Sequence, residues 1–236
     1  MARINIDKVR KDVIERGWKV LDLEYKNLQT PMTFICDKGH EVNDTWAKVR
    51  GRFQCPECIE NRRKKIKTGN VKDKEEGTRR ILALDQATHT TGYSIFDDQQ
   101  LVAYGTYEST GSSAEQRILD VCDWLERMID EHQPDMVGIE DIQYNPYGGG
   151  HNTFKMLGQL MGAIMRTTEQ KGVLYQSVLI STWRKSANVS GRGRKEQKAS
   201  AQRVVKGRYG LVVSEDEADA ICIGIHYSKA RRKKLI

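Results

Sequence analysis

The stretch RRILALDQATHTTGYSIFDD, Arg79–Asp98, carries the reading of the fold. Ile81, Leu82, Ala83 and Leu84 form a short apolar run of the kind that fills a strand buried on both faces. The run ends on a carboxylate, Asp85, and a Thr/Gly-containing turn leads into a second β-prone run, Tyr93–Phe96. An Asp in that place either caps a turn or is delivered to the end of a central strand as a metal ligand or catalytic acid.

Outward from that stretch, the pattern is one of alternating elements. Leu101–Tyr107 reads as a third strand, which makes a meander. Ser113–His132 reads as a helix with Ile118, Leu119, Val121, Cys122, Leu125 and Ile129 on its apolar face. Asp135–Glu140 is a strand, YNPYGGG a loop, and Thr153–Gln170 a helix whose Gly158, Gly162 and Ala163 suit close packing. A strand over Gly172–Ile180 and helices over Arg194–Tyr209 and Glu215–Lys229 complete the pattern. Three strands followed by alternating helix and strand predict an α/β fold with a mixed sheet. Cys122 and Cys222 fall on apolar helix faces and read as core.

The first third differs. The chain has 236 residues and a formal net charge of +7. Residues 1–80 hold 20 Lys+Arg against 13 Asp+Glu, whereas residues 81–236 hold 19 of each. A basic module attached to a neutral one points to a polyanionic partner, nucleic acid first. Hydrophobic content of 38% and charged content of 30% fit a soluble globular chain. No apolar run approaches the ~18–20 residues of a transmembrane helix. The N-terminus lacks an apolar signal core, so a cytoplasmic setting is expected.

Within the basic module, residues 1–18 read as an amphipathic helix with Val9, Val13, Ile14 and Trp18 inward, and WKVLDLEYKN as a strand. Cys36-x3-His40 is followed, after fourteen residues, by Cys55-x2-Cys58. Two closely spaced pairs of Cys and His ligands suit tetrahedral zinc. Four protein ligands leave no open position, so the site is structural. A module of about 60 residues buries little, and metal binding would supply much of its stability. Ile59–Arg80 is almost free of apolar residues and reads as a basic linker. The expected organisation is a zinc module over 1–66, a linker over 67–79 and an α/β domain over 80–236.

Asp85 has company. Glu140 also closes an apolar strand, in MVGIEDIQ, and Asp216 and Asp219 in SEDEADAICIGIHY stand i, i+3 on one helix. Convergence would put four carboxylates in one place, and their repulsion calls for a cation. Oxygen-only sites suit Mg²⁺ or Mn²⁺. Two such ions, about 3.5–4 Å apart, serve in-line attack on a phosphodiester.

In this order on a βββαβαβαα pattern, these segments resemble the ribonuclease H-like superfamily and, within it, the RuvC Holliday-junction resolvases. ILALDQATHTTGYSIF is similar to the opening strand pair of that family, VGIEDIQYN to the segment with its catalytic Glu, and FKMLGQLMGAI to its Leu-Gly-Gln helix. WRKSANVSGRGRKEQKASAQRVV is similar to its basic TG-x-G-x-x-x-K segment, and DEADAICIG to its closing Asp-x-x-Asp-Ala motif. The resemblance covers residues 80–228. It implies a mixed five-stranded sheet and a metal-dependent, structure-selective endonuclease acting as a homodimer, with Asp85, Glu140, Asp216 and Asp219 as the acids holding two ions. Asp141, a second acid beside Glu140, departs from the family's text; neighbours on a strand face opposite ways, so Glu140 is the expected ligand.

The N-terminal module is a further departure, since standard bacterial RuvC proteins lack it. EYKN, TP, Phe34, Cys36, Gly39-His40, Trp46, Gly51 and CPEC resemble treble-clef zinc fingers appended to phage and mobile-element nucleases, which help hold DNA.

Arg184, Lys185, Arg192, Arg194, Lys195 and Lys198 cluster around a Gly-rich turn and a helix start, as phosphate-backbone contacts require. The resemblance implies DNA binding here, and an aromatic near the junction centre from the loop holding Tyr144 and Tyr147. Tyr144 is the nearer match. Three functions remain distinguishable: a resolvase of four-way junctions, a broader branched-DNA or RNA–DNA hybrid nuclease, and a non-catalytic zinc-dependent DNA-binding protein. Cleavage selectivity separates the first two. The four acids speak against the third, because a binding protein gains nothing from carboxylates that repel phosphate.

Overall fold

A computed structural model of the chain describes residues 6–22, 24–50, 55–58, 74–144 and 150–229. The chain divides into two compact units, Met1–Lys65 with Gly207–Leu211, and Ile66–Lys206 with Val212–Ile236. Each is taken by itself.

In the first unit, helix α1 (Ile6–Glu15) buries Val9 and Val13. It stops where Gly17 adopts φ 73° and the Trp18 N–H reaches back to the Val13 carbonyl at 3.0 Å, a left-handed helix stop that favours glycine. Ile14 was expected inward but is 69% exposed, because it lies one step round the helix from Val13. Strands β1 (Lys19–Val20), β2 (Pro31–Ile35) and β3 (Glu41–Thr45) form an antiparallel sheet in that order. The expected strand over Trp18–Asn27 is only β1. Beyond it, the Asp22 carboxylate accepts the Thr33 N–H, and the Asn27 and Gln29 amides bond to Thr30 and Asn27 side chains, local partners that compete with a ladder. Short helix α2 (Trp46–Val49) places Trp46 against Phe34, ring centroids 6.0 Å apart. Residues 59–73, which hold most of the expected linker, lie outside the described residues.

The second unit is a five-stranded mixed sheet. Its strands are β4 (Arg80–Asp85), β5 (Thr90–Asp97), β6 (Gln100–Glu108), β7 (Met136–Glu140) and β8 (Leu174–Val178), in the order β6-β5-β4-β7-β8. β4 is central, antiparallel to β5 and parallel to β7. Helices α3 (Ala114–His132) and α4 (Gly150–Gln170) cover one face, where Leu82, Leu84, Ile95, Val137 and Ile139 meet Val121, Leu125, Leu160 and Ile164. The N-terminus of α3 is capped by Ser113, whose hydroxyl accepts the Gln116 N–H. Helix α7 (Glu215–Lys229) lies on the opposite face, with helices α5 (Ile180–Ala187) and α6 (Arg194–Tyr209) preceding it. The sheet and its flanking helices have the expected ribonuclease H-like form.

Two glycines let α7 lie flat on the sheet. A Cβ on Gly138 would overlap the Tyr227 ring, and one on Gly224 would overlap Phe96 and Ser94. Tyr227 Oη then donates to the carbonyls of Ile139 and Gln176, both at 3.0 Å, and ties β7 to β8. Gly158 and Gly162 of α4 are not packed in this way, whereas Ala163 does pack against the core. A Cβ on Gly162 would meet nothing within 4 Å, and one on Gly158 only Ile142 at 3.6 Å, so close helix packing does not explain them. The expected strand over Gly172–Ile180 is too long at both ends. β8 stops at Val178 because the Leu179 carbonyl accepts from Thr182 and Trp183 and starts α5.

Candidate active site

Strand periodicity aims two acids at one face. Residues 81, 83 and 85 of β4 pair with 96, 94 and 92 of β5, and Ala83 of β4 pairs with Gly138 of β7. Ser94 donates to the Ala220 carbonyl of α7 at 2.8 Å, so this is the α7 face. Asp85 and Glu140, each an even step from that set, therefore end their strands under α7. Asp216 and Asp219 lie in the first turns of α7, with Asp219 buried.

The positive charge among them comes from the chain itself. Lys198 Nζ stands 2.7 Å from Asp219, 3.6 Å from Asp216 and 3.8 Å from Asp85. The sequence groups Lys198 with cations suited to contact DNA, but it is only 6% exposed. It opens the buried stripe Lys198, Ala201, Val205 of α6, at helical spacing, while Arg194 and Lys195 stay outside. Lys185 and Arg192 are also exposed. Arg184 is half-buried, bonds Gln197 Oε1 at 2.6 Å, and acts on Glu140 and Asp219 through its charge.

Burial dominates the electrostatics. Asp85 is pushed up to about 8, first by burial, then by the charge of Asp219, with Lys198 opposing. Burial likewise raises Glu140 and Asp219, against the Trp183 hydrogen bond in the first case and Lys198 in the second. Lys198 is raised because its three acids outweigh its own desolvation. A site whose acids burial and mutual charge make harder to ionise suits a hard divalent cation. Its donors are all oxygen, and an ammonium already stands where added positive charge would be stabilised.

Two residues to which the sequence assigns no role shape the site. Gln86, next to Asp85, brackets the Glu140 backbone: its Nε2 donates to the Glu140 carbonyl at 2.6 Å, and its Oε1 accepts the Glu140 N–H at 3.2 Å. Trp183, fully buried on α5, donates its indole N–H to Glu140 Oε2 at 2.6 Å. Adjacency to Asp85 was a usable signal for Gln86. Trp183 left none, since a lone Trp in a short segment reads as core. Asp141 acts instead on Tyr175 and Tyr227, away from Glu140. Tyr144 is 54% exposed and meets Phe154 edge-on at 5.5 Å. Tyr147 lies outside the described residues.

The first unit holds the second cluster. Donor atoms of Cys36, His40, Cys55 and Cys58 all lie within 4.8 Å of one another. Cys36 and Cys58 sulfurs are 3.8 Å apart, and His40 Nδ1 is 3.1 Å from Cys58 and 3.6 Å from Cys36 and from Cys55. Tetrahedral zinc with bonds of about 2.3 Å places sulfurs about 3.8 Å apart. The Lys38 and Cys58 amides donate to Cys36 and Cys55 sulfurs, both at 3.3 Å, and Gly39 takes φ 83° to turn the first knuckle. Burial and the neighbouring thiols push Cys58 up to about 12, so the quartet without metal keeps a proton that a metal would displace.

Among the described residues, no helix is long and apolar enough to cross a membrane. Residues 81–227 match the family described as Crossover junction endodeoxyribonuclease RuvC. The chain is 30% identical over 152 residues to the protein of that name from Ruegeria pomeroyi, covering 62% of this chain and 88% of the relative. It is 26% identical over 163 residues to that of Fusobacterium nucleatum, covering 66% and 83%. The solved structure of T. thermophilus RuvC in complex with Holliday junction substrate superimposes with a TM-score of 0.53 at 13% identity, over 64% of this chain and 92% of that one, which shows the shared fold. The first 80 residues, with the Cys/His quartet, lie outside the family match. Sheet order, the acids at the ends of β4 and β7 and on α7, and this match together place the chain in the RuvC family of crossover junction endodeoxyribonucleases.

Proposed function

We propose that this chain is a divalent-metal-dependent endonuclease that resolves Holliday junctions by paired symmetric nicks, with Asp85, Glu140, Asp216 and Asp219 as its catalytic, metal-holding acids. The observation that carries the reading is the gathering of carboxylates from β4 and α7 around the Lys198 ammonium, with Glu140 of β7 electrostatically coupled to them, in a chain of the RuvC family. Mg²⁺ or Mn²⁺, when bound as a pair, would activate water and stabilise the departing oxygen. Asp85 and Glu140 are fixed to rigid strand ends, and Gln86 holds the two ends together. Lys198 offsets the repulsion among the acids until a metal does so. Exposed Lys185, Arg192, Arg194 and Lys195, with Arg184 nearer the acids and Tyr144 on the loop side, are suited to grip phosphates and an unpaired base. A homodimer matches the two symmetric cuts. The Cys/His quartet takes structural zinc and helps the basic first module hold DNA.

The test is cleavage of end-labelled four-way junction, Y-fork, linear duplex and RNA–DNA hybrid with Mg²⁺ or Mn²⁺, wild type beside Asp85→Asn. Paired symmetric nicks in the junction, absent in the variant while junction binding persists, are expected. Equal cutting of forks makes it a broader branch nuclease. Binding without cleavage under either ion overturns the catalytic reading.

A further inference from the structure

We propose that Trp183 is a positioning residue of the acidic site, its indole N–H fixing the Glu140 carboxylate so that Oε1 alone is left for a metal. The inference rests on the reading of Glu140 as a metal ligand. A buried indole has one donor and needs one acceptor. Here that acceptor is Glu140 Oε2, at 2.6 Å. Among the described residues, Glu140 Oε1 has no hydrogen-bond partner.

The two halves of Glu140 are thus held by different parts of the fold. Gln86 clamps its backbone to the end of β4, beside Asp85. Trp183 clamps its side chain from α5. The clamp is stiff, because Trp183 is fully buried and the loop before it is short: β8 ends at Val178 and α5 begins at Ile180. Trp183 is followed directly by Arg184, whose guanidinium stands 5.2 Å from the Trp183 ring centroid. One turn of α5 therefore supplies both a donor and a positive charge to Glu140, and both favour its ionised form. Groups that orient a metal ligand through its second oxygen commonly affect metal affinity 10–100-fold.

The experiment uses the full zinc-loaded chain. Mg²⁺ affinity is measured by calorimetry for wild type, Trp183→Phe and Asp85→Asn, with thermal melts alongside. In parallel, the four indole N–H resonances of ¹⁵N-labelled wild type are followed during the Mg²⁺ titration. Trp183→Phe should melt near wild type, bind Mg²⁺ roughly 10–100-fold more weakly, and recover junction cleavage as Mg²⁺ is raised. One wild-type indole resonance should shift along the Mg²⁺ binding curve, and the same resonance should move in Glu140→Ala without Mg²⁺. Should Trp183→Phe fail to fold, that resonance decides. Unchanged Mg²⁺ affinity in folded Trp183→Phe, or no indole responding to both Mg²⁺ and Glu140→Ala, overturns the inference. Mg²⁺ binding undiminished in Asp85→Asn instead overturns the acidic cluster as the metal site.

Discussion

Gly92, the cross-strand partner of Asp85, lies directly beneath the backbone carbonyl of Asp216. A Cβ at this position would collide with that carbonyl and approach the Asp216 carbonyl carbon to 2.7 Å. The absence of one side chain on β5 thus sets how closely the first turn of α7 approaches the end of β4. It fixes the gap between the acid on the strand and those on the helix.

Gly92→Ala should therefore lift the start of α7 and move Asp216 and Asp219 away from Asp85. Overpacking of this kind costs about 1–3 kcal/mol, measurable by urea denaturation. Misplacement by about 1 Å costs on the order of 100-fold in rate, so junction cleavage should fall far more than stability. Wild-type cleavage in the variant would mean that the approach of α7 does not set the site.

Lys198→Met should destabilise the zinc-loaded protein without Mg²⁺. The ammonium side chain is 8% exposed and pairs with three acids, and loss of one partner from a buried ion pair costs about 3–5 kcal/mol. Bound Mg²⁺ would replace the missing charge, so its addition should raise the melting temperature of the variant more than that of wild type. Equal Mg²⁺-induced shifts would show that Lys198 and the metal do not share a counter-charge role.

Chelation of zinc, or Cys58→Ala, should melt the first unit. Its described core centres on Phe34 and Trp46 and is small, so metal ligation by the quartet would contribute a large part of its folding energy. Elemental analysis should give one zinc per wild-type chain and less in the variant, with loss of the near-ultraviolet circular dichroism of the Phe34–Trp46 pair. A chelated protein with that signal intact would make the quartet dispensable.

The acid limb of the stability profile should owe part of its slope to His132. Burial lowers its pKa, Arg80 lowers it further, and Glu131 opposes them. The unfolded chain therefore takes up a proton more readily than the folded one. The contribution is present above the unfolded value of about 6.5 and is lost as pH falls through and below it. His226 is lowered in the same sense, by burial and then by Lys229. His132→Gln should flatten, without abolishing, the fall in stability between pH 7 and pH 5 in denaturant titrations.

Local pattern in the chain determined much of this protein. Apolar runs closing on Asp85 and Glu140 marked two strand ends. The i, i+3 spacing of Asp216 and Asp219 put two acids on one helix, and the Cys36/His40 and Cys55/Cys58 pairs announced their cluster. These features depend on residues within a few positions of one another, where periodicity and ligand spacing apply directly. Tertiary structure decided the rest. Whether Lys198 faces solvent or the acids depends on which side of α6 the fold buries, and charge alone favours solvent. The role of Trp183 required β8 to end early, so that a short helix 43 residues beyond Glu140 could reach it. Gly92 reads locally as part of a turn-rich strand, and only the seating of α7 makes it the floor of the site. Each of these contacts joins segments far apart in sequence, set by strand order and helix seating, which no local pattern encodes.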